Sequence, residues 1–373
     1  MGHIVEIFRR HGAPYLHNHQ GRILPSHRRT IHDICRCRTP AMGGHLYQCS
    51  HCDHYHYSYH GCGNRHCPQC QLQATRRWVD QRMEEVMPVS YFHLVFTLPS
   101  EFRALVRANQ KIAYAILLKT AAASLMKLVA DERYLGAQLI GILAVLHTWS
   151  RAMLYHPHVH LLVPAVGLSC DGDTVFFPRR QYLVPVKALS KIFQAKFITK
   201  IKAALPEQVI PAVTGKNAWV VFCKHLDLGP QKAIAYLGRY LNRVAVSDAQ
   251  VQRLPDGDVG VSYRDQVRTK SARLSPQEFL RRYLQHVLPK GLNKVRRYGL
   301  FAPCRRVLLT ALRHHLMLSE RTKPSMLAAK IGVVERPRWQ RCPQCDNGVL
   351  RLVRPLAANC RNRSPPNKYS SSG

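Results

Sequence analysis

The chain has 373 residues, 46% of them hydrophobic, which is enough for two or three domains and at least one real core. Lysine and arginine number 55 against 21 acidic residues, a formal charge of +34. Self-repulsion on that scale leaves little room for a compact protein without a polyanionic partner. Nucleic acid is the expected partner, with phosphate neutralisation supplying much of the affinity; an anionic membrane surface is the rival reading.

Residues 1–33 read as a basic N-terminal arm or short helix carrying His11, His17 and His19. Residues 1–10 have no apolar core of signal-peptide length, so the chain is expected to stay where it is made, in the cytoplasm (with the nucleoid, if bacterial). A zinc-binding domain and linker helix span 34–87: a Cys/His cluster over 34–72, then a helix over 73–87 with Trp78, Met83 and Val86 on one face, ended by Pro88.

The largest block is 88–245. Residues 91–98 predict a strand and 101–131 a helix, while 139–148 is an apolar run ambiguous between the two. Residues 158–163 and 218–223 are strand-like, and 232–242 predicts a helix after Gly229-Pro230. The most apolar stretch, 112–130, is cut by Lys119 and Lys127, so no membrane span is expected. Residues 246–315 are basic, with a strand expected over 259–263 and an amphipathic helix over 276–288. A tail, 316–373, ends in a polar stretch from residue 364 expected to be disordered. Strands interleaved with helices imply a mixed α/β or α+β layer fold.

Thirteen cysteines are many for a chain that is not exported, and seven lie between Cys35 and Cys70; metal explains them better than disulfides. Cys49-x-x-Cys52 and Cys67-x-x-Cys70 stand fourteen residues apart. Each pair turns two thiolates toward one ion, and two such knuckles close a tetrahedral zinc site. Cys37, Cys62 and His66 remain for a second zinc site. The tail pair Cys342-x-x-Cys345, with Cys360, reads as a partial zinc knuckle lacking a clear fourth ligand. Between the first knuckles, 54–60 alternates His and Tyr, placing the tyrosines on one face of a strand, for packing or for stacking on bases. The zinc module is expected to present Arg65, Arg76 and Arg77 to DNA.

His158-Val159-His160 puts two imidazoles on one side of a strand, where both can grip one ion. The pattern alone says little: four His-x-His pairs occur among 21 histidines, where about one is expected by chance. Context selects this pair, because it runs directly into Leu161-Leu162-Val163, and two histidines at the edge of a core would otherwise cost desolvation for no return. Tyr236 and Tyr240, four apart, share a helix face, and Arg239 and Arg243 follow at the same spacing, placed to hold phosphates. A divalent cation on the histidines and a tyrosine nucleophile together describe covalent phosphodiester cleavage. His147, His93 and Gln231 are candidates for a third ligand.

Six separated stretches occur in one order: Cys37-Arg-Thr-Pro with Gly43-Gly44-His45, then 64–70, 146–149, 156–160, 236–240, and 278–299. Together they make the chain, over about residues 30–315, resemble the rolling-circle insertion-sequence transposases of the two-tyrosine HUH type with an N-terminal transposase zinc-binding domain. The resemblance implies an α+β fold: an HUH-nuclease-like core with a central, mainly antiparallel sheet flanked by helices, beside a small zinc-binding domain. It implies Mg²⁺ or Mn²⁺ on His158 and His160, nucleophilic Tyr236 and Tyr240, and a 5′-phosphotyrosine link to single-stranded element ends. Ser247-Asp248-Ala249-Gln250 departs from the family pattern, which has Asn and Arg there. A replication initiator or relaxase would use the same chemistry, and a non-catalytic zinc-dependent DNA-binding regulator would explain the charge and cysteines but not the His and Tyr pairs.

Overall fold

The computed structural model describes residues 2–83, 85–179, 181–212, 219–226, 245–265, 268–319, 341–345 and 347–358. The chain divides into two compact units. One gathers Met1–Gln73, Val246–Val287 and the described residues within Ser325–Gly373; the other holds Ala74–Ala245 and Leu288–Pro324. These units cut across the consecutive stretches expected from composition.

In the first unit, the stretch read as a basic arm or short helix holds two helices, α1 (His3–Asn18) and α2 (Pro25–Arg36), the second running three residues past it. Ile4, Ile7 and Phe8 of α1 and Ile31 and Ile34 of α2 are fully buried, so the arm's charges ride on an amphipathic pair with its own core face. Phe8 packs edge-on against Tyr283 of α7 (Pro276–Leu284) at 5.0 Å. Ser275 caps α7 by accepting from the Glu278 amide. Two antiparallel sheets complete the unit. One has the order β13-β1-β2, from β1 (Gly44–Cys49), β2 (Tyr55–Tyr59) and β13 (Leu350–Leu356). The other has β10 (Val259–Asp265) between β9 (Val251–Arg253) and β11 (Arg268–Leu274).

Asp248 has a structural use in this unit. Its carboxylate accepts from the Ile4 amide at 2.9 Å, at the N-terminus of α1, where Gly2 offers no side-chain cap. A β-carbon on Gly2 would collide with that carboxylate, so the bare glycine lets a distant residue cap the helix.

Helix α3 (Pro68–Met83) starts five residues before the expected helix and carries the chain from the first unit into the second. The second unit is built on a seven-stranded sheet among the described residues, ordered β7-β6-β4-β5-β3-β8, with β12 paired to β4. Its strands are β3 (Tyr91–Thr97), β4 (Leu139–Trp149), β5 (Tyr155–Pro164), β6 (Gly167–Leu168), β7 (Val175–Phe176), β8 (Val221–Leu226) and β12 (Val295–Gly299), and every pairing is antiparallel. The ambiguous run 139–148 is therefore a strand. All of β4 except Trp149 is buried because both its edges are paired and both its faces are covered.

One face of the sheet presents Phe92, Leu94, Phe96, Ile142, Ala144, Leu146, Val159 and Leu161 to α5 (Gln110–Val129) and α6 (Val186–Ala204), forming the main core. The expected single helix over 101–131 breaks at Asn109, whose φ of −118° and ψ of 41° separate α4 (Arg103–Ala108) from α5. Helix α5 has the length and apolarity of a membrane span, but 61% of its most apolar window is buried inside the fold. The opposite sheet face buries a small apolar cluster around Tyr91, Leu143, Val145, Leu162 and Leu226, and Leu139 and Leu168 join a second cluster with Leu309, Leu312 and Leu316.

Candidate metal centres

That second face carries the histidines. In the antiparallel register His158 of β5 lies opposite His147 of β4, and His160 lies opposite Val145 on one side and Val95 on the other. Directly opposed residues share a face, so His147, His158 and His160 all project from the same surface, at the end of the strands away from the apolar cluster. The register slips between His147 and Trp149, a bulge of the kind that re-aims side chains next to sites. The tight β4–β5 connection is held by the Ser150 amide donating to the Leu154 carbonyl at 2.8 Å.

The three rings form a compact group whose ligand atoms all lie within 4.8 Å of one another. His147 and His160 stand 4.4 Å apart between centroids, His158 and His160 4.9 Å, and His147 and His158 5.3 Å. His147 and His160 are buried and His158 is half-buried. Desolvation pushes His158 down to about 4 and holds His160 well below its ordinary range, the neighbouring rings of His147, His158 and His93 adding to the effect on His160. Both are therefore neutral at physiological pH, the form that has a lone pair to give.

Two hydrogen bonds orient them. The Nδ1 of His158 lies 2.7 Å from the His156 carbonyl and donates to it, which leaves Nε2 as the lone-pair nitrogen. The Nδ1 of His160 lies 2.8 Å from the Nε2 of His93, a buried residue of β3 whose own value burial, then Lys224, pushes down to about 4. With Nδ1 of His160 as donor, the ligating lone pair is carried by its Nε2. Of the third-ligand candidates, His147 thus joins the group, His93 stands behind it, and Gln231 lies outside the described residues, as do Tyr236, Tyr240, Arg239 and Arg243.

The cysteines are regrouped relative to their sequence spacing. Cys67 and Cys70 do not meet Cys49 and Cys52; they close a group with Cys37 and Cys62. The Cys37 and Cys62 sulfurs lie 3.6 and 3.8 Å from that of Cys70, and hydrogen bonds from Cys62 and Cys67 hold the Cys37 thiol far below its ordinary value. His66 is buried beside this group but not in it; its carbonyl accepts from the Tyr283 hydroxyl at 2.7 Å. Cys49 and Cys52 lie instead with Cys342 and Cys345. The reason is topological: β1 runs from Gly44, whose end adjoins the chain segments carrying Cys37 and Cys62, to Cys49 at the other end, so its two ends serve different groups. Every one of these eight cysteines is free of disulfide bonding.

Arg77 is exposed on α3, Arg76 lies beside it in the same helix, and Arg65 is half-buried. The alternating tyrosines lie on β2, with Tyr55 and Tyr57 exposed rather than packed.

A family model described as "Transposase zinc-binding domain" matches residues 7–98, and one described as "Putative transposase" matches residues 141–307. The chain is 34% identical over 377 residues to "Putative transposase y4qJ" of Sinorhizobium fredii (strain NBRC 101917 / NGR234), covering 93% of this chain and 94% of the relative. It is 28% identical over 296 residues to "Transposase for insertion sequence element IS801" of Pseudomonas savastanoi pv. phaseolicola, covering 73% of this chain and 70% of the relative. No solved structure matches the chain.

Proposed function

The chain belongs to the transposase family that pairs a transposase zinc-binding domain with a transposase domain, and on that premise we propose that it nicks and joins single-stranded DNA at the ends of an insertion sequence. The observation that carries this reading is the meeting of His147, His158 and His160 on one face of the antiparallel sheet, with their ligand atoms within 4.8 Å, the arrangement an HUH-nuclease-like core requires.

His147, His158 and His160 would hold one divalent cation, Mn²⁺ or Mg²⁺. The donor set fits: two of its three imidazoles have an outer-nitrogen hydrogen bond that directs Nε2 inward, and no carboxylate belongs to the group among the described residues. An all-imidazole set favours Mn²⁺ over Mg²⁺. When bound, the ion polarises the scissile phosphate and offsets its developing charge.

Tyr236 or Tyr240 supplies the nucleophile. The phenol oxygen forms a bond to phosphorus as the bond to the 3′ oxygen breaks; in net, the phenol proton passes to that leaving oxygen. A free 3′ hydroxyl results, and the 5′ phosphate remains on the tyrosine, which conserves the bond for rejoining. A second tyrosine four positions away in sequence would allow a further exchange before the first link is released. Arg239 and Arg243 would hold flanking phosphates, and Arg65, Arg76 and Arg77 would contact DNA from the zinc-binding side. The chain would act in the cytoplasm beside its DNA.

Incubating the purified chain with Mn²⁺ and a single-stranded oligonucleotide of the cognate element end tests this. The expected product is a protein–DNA adduct that survives a denaturing gel and is lost in a variant carrying both Tyr236→Phe and Tyr240→Phe. Binding without cleavage or adduct would favour a DNA-binding regulator. Origin-dependent plasmid copying in cells, without mobilisation of the element, would favour an initiator.

A further inference from the structure

The four sulfurs of Cys49, Cys52, Cys342 and Cys345 lie within 4.8 Å of one another, although almost three hundred residues separate the two pairs in sequence. Cys49 stands 3.7 Å from Cys345, and Cys52 3.7 Å from Cys342. Four thiolates around zinc, each bonded at its usual length, sit about 3.8 Å apart in a tetrahedron; a disulfide would bring two of them to about 2 Å.

The two pairs are built alike. The His51 amide approaches the Cys49 sulfur at 3.4 Å, and the Gln344 amide approaches the Cys342 sulfur at the same distance. In each knuckle, then, the amide two residues on points at the first sulfur and favours its thiolate form. The hairpins also interlock. The Ser50 amide donates to the Val349 carbonyl at 3.0 Å, and the Val349 amide donates to the Ser50 hydroxyl at 3.1 Å. Gly348 lets the backbone pass beside the sulfurs, since a β-carbon there would fall on the Cys49 sulfur. Beyond the knuckle, β13 pairs with β1 from Cys49↔Leu350 to Gly44↔Leu356.

Apolar burial does not explain why this segment stays on β1. Five of the seven residues of β13 are exposed, with Leu352 at 58% and Val353 at 48%. A three-stranded sheet with so little buried on the added strand is marginal by itself, and docking a segment across so long a sequence separation costs loop-closure entropy.

We propose that Cys49, Cys52, Cys342 and Cys345 form a second structural zinc site, which fastens the distal segment 341–358 into the zinc-binding unit. The unit is then a composite of two ends of the chain, and the stretch 7–98 holds only half of this site. The binding free energy of the metal becomes the docking free energy of the segment.

Alkylation of the native, zinc-loaded chain, read residue by residue by mass spectrometry, tests the proposal without a variant. Cys170 and Cys304 are exposed and outside both groups, so they report the reactivity of a free surface thiol. Cys52 is equally exposed. It is expected to resist alkylation, together with Cys342 and Cys345, until a chelator is added, and zinc content is expected at two per chain. In a Cys342→Ser/Cys345→Ser variant one zinc should remain, Cys52 should react as Cys170 does, and Cys62 and Cys70 should stay protected. Should that variant fail to fold, the wild-type pattern decides alone. Alkylation of Cys52 and Cys345 at the Cys170 rate in zinc-loaded protein, or a single zinc per chain, would overturn the assignment.

Discussion

The two kinds of cluster in this chain differ in how they are closed. Each cysteine group offers four sulfurs, a full tetrahedral set that would leave no position for a substrate. The histidine group offers three nitrogens from adjacent paired strands, which on the proposed reading would leave coordination positions for phosphate oxygens. On the proposed reading the four-donor groups hold the fold together and the three-donor group serves the reaction, and the backbone beneath each differs accordingly. The thiols gather where loops meet the ends of a three-stranded sheet and a helix, whereas the imidazoles stand on a seven-stranded sheet whose other face is packed on two long helices.

The largest expected effect attacks the closed side. Zinc binding supplies about 10–16 kcal/mol in isolated zinc-finger peptides, so Cys67→Ser should abolish amide-exchange protection around α1, α2 and β1 while strands β3 to β5 keep theirs. Equal loss in both units would break the comparison. Next comes the open side. His158→Ala should lower the cleavage rate by at least about 100-fold, more than is usual for an outer-shell partner, with zinc content and thermal midpoint unchanged. Wild-type cleavage would remove His158 from the ligand set.

A smaller effect sharpens the role of His93. It touches His160 rather than the ion, so His93→Ala should weaken Mn²⁺ affinity by about 10- to 100-fold. His93→Gln, which can still accept from the His160 Nδ1, should recover part of it. A merely structural role would lower the melting temperature and leave Mn²⁺ affinity alone. The smallest effect is at α1: Asp248→Ala removes the acceptor for the Ile4 amide and should cost about 1 kcal/mol of stability in a denaturant titration, with no change in cleavage.

What was legible in the sequence follows from what is local. The strands 91–98 and 158–163 announced themselves by apolar runs bounded by turn residues, and β5 carried its His pair in plain view. The alternatives at 139–148 were settled only by pairing, because a strand buried on both faces has no alternation to read. His147 became a ligand candidate of substance only once the register set it opposite His158. The thiol grouping was illegible for the same reason. Sequence proximity suggested joining Cys49 and Cys52 to Cys67 and Cys70, whereas strand β1 separates them and brings Cys342 and Cys345 from the far end of the chain. The stretch 1–33 reads in sequence as either arm or short helix because its buried Ile4, Phe8 and Ile31 are few among so many basic residues.

The account rests on one cation held by imidazole at the sheet, apart from the zinc held by sulfur. Electron paramagnetic resonance of the zinc-loaded chain titrated with Mn²⁺ reads this directly through nitrogen couplings to the bound metal. The account predicts one Mn²⁺ per chain with histidine nitrogen couplings, lost in His147→Ala and in His158→Ala while zinc stays at its wild-type content. Mn²⁺ binding that survives both substitutions, or Mn²⁺ with no nitrogen coupling, would contradict it.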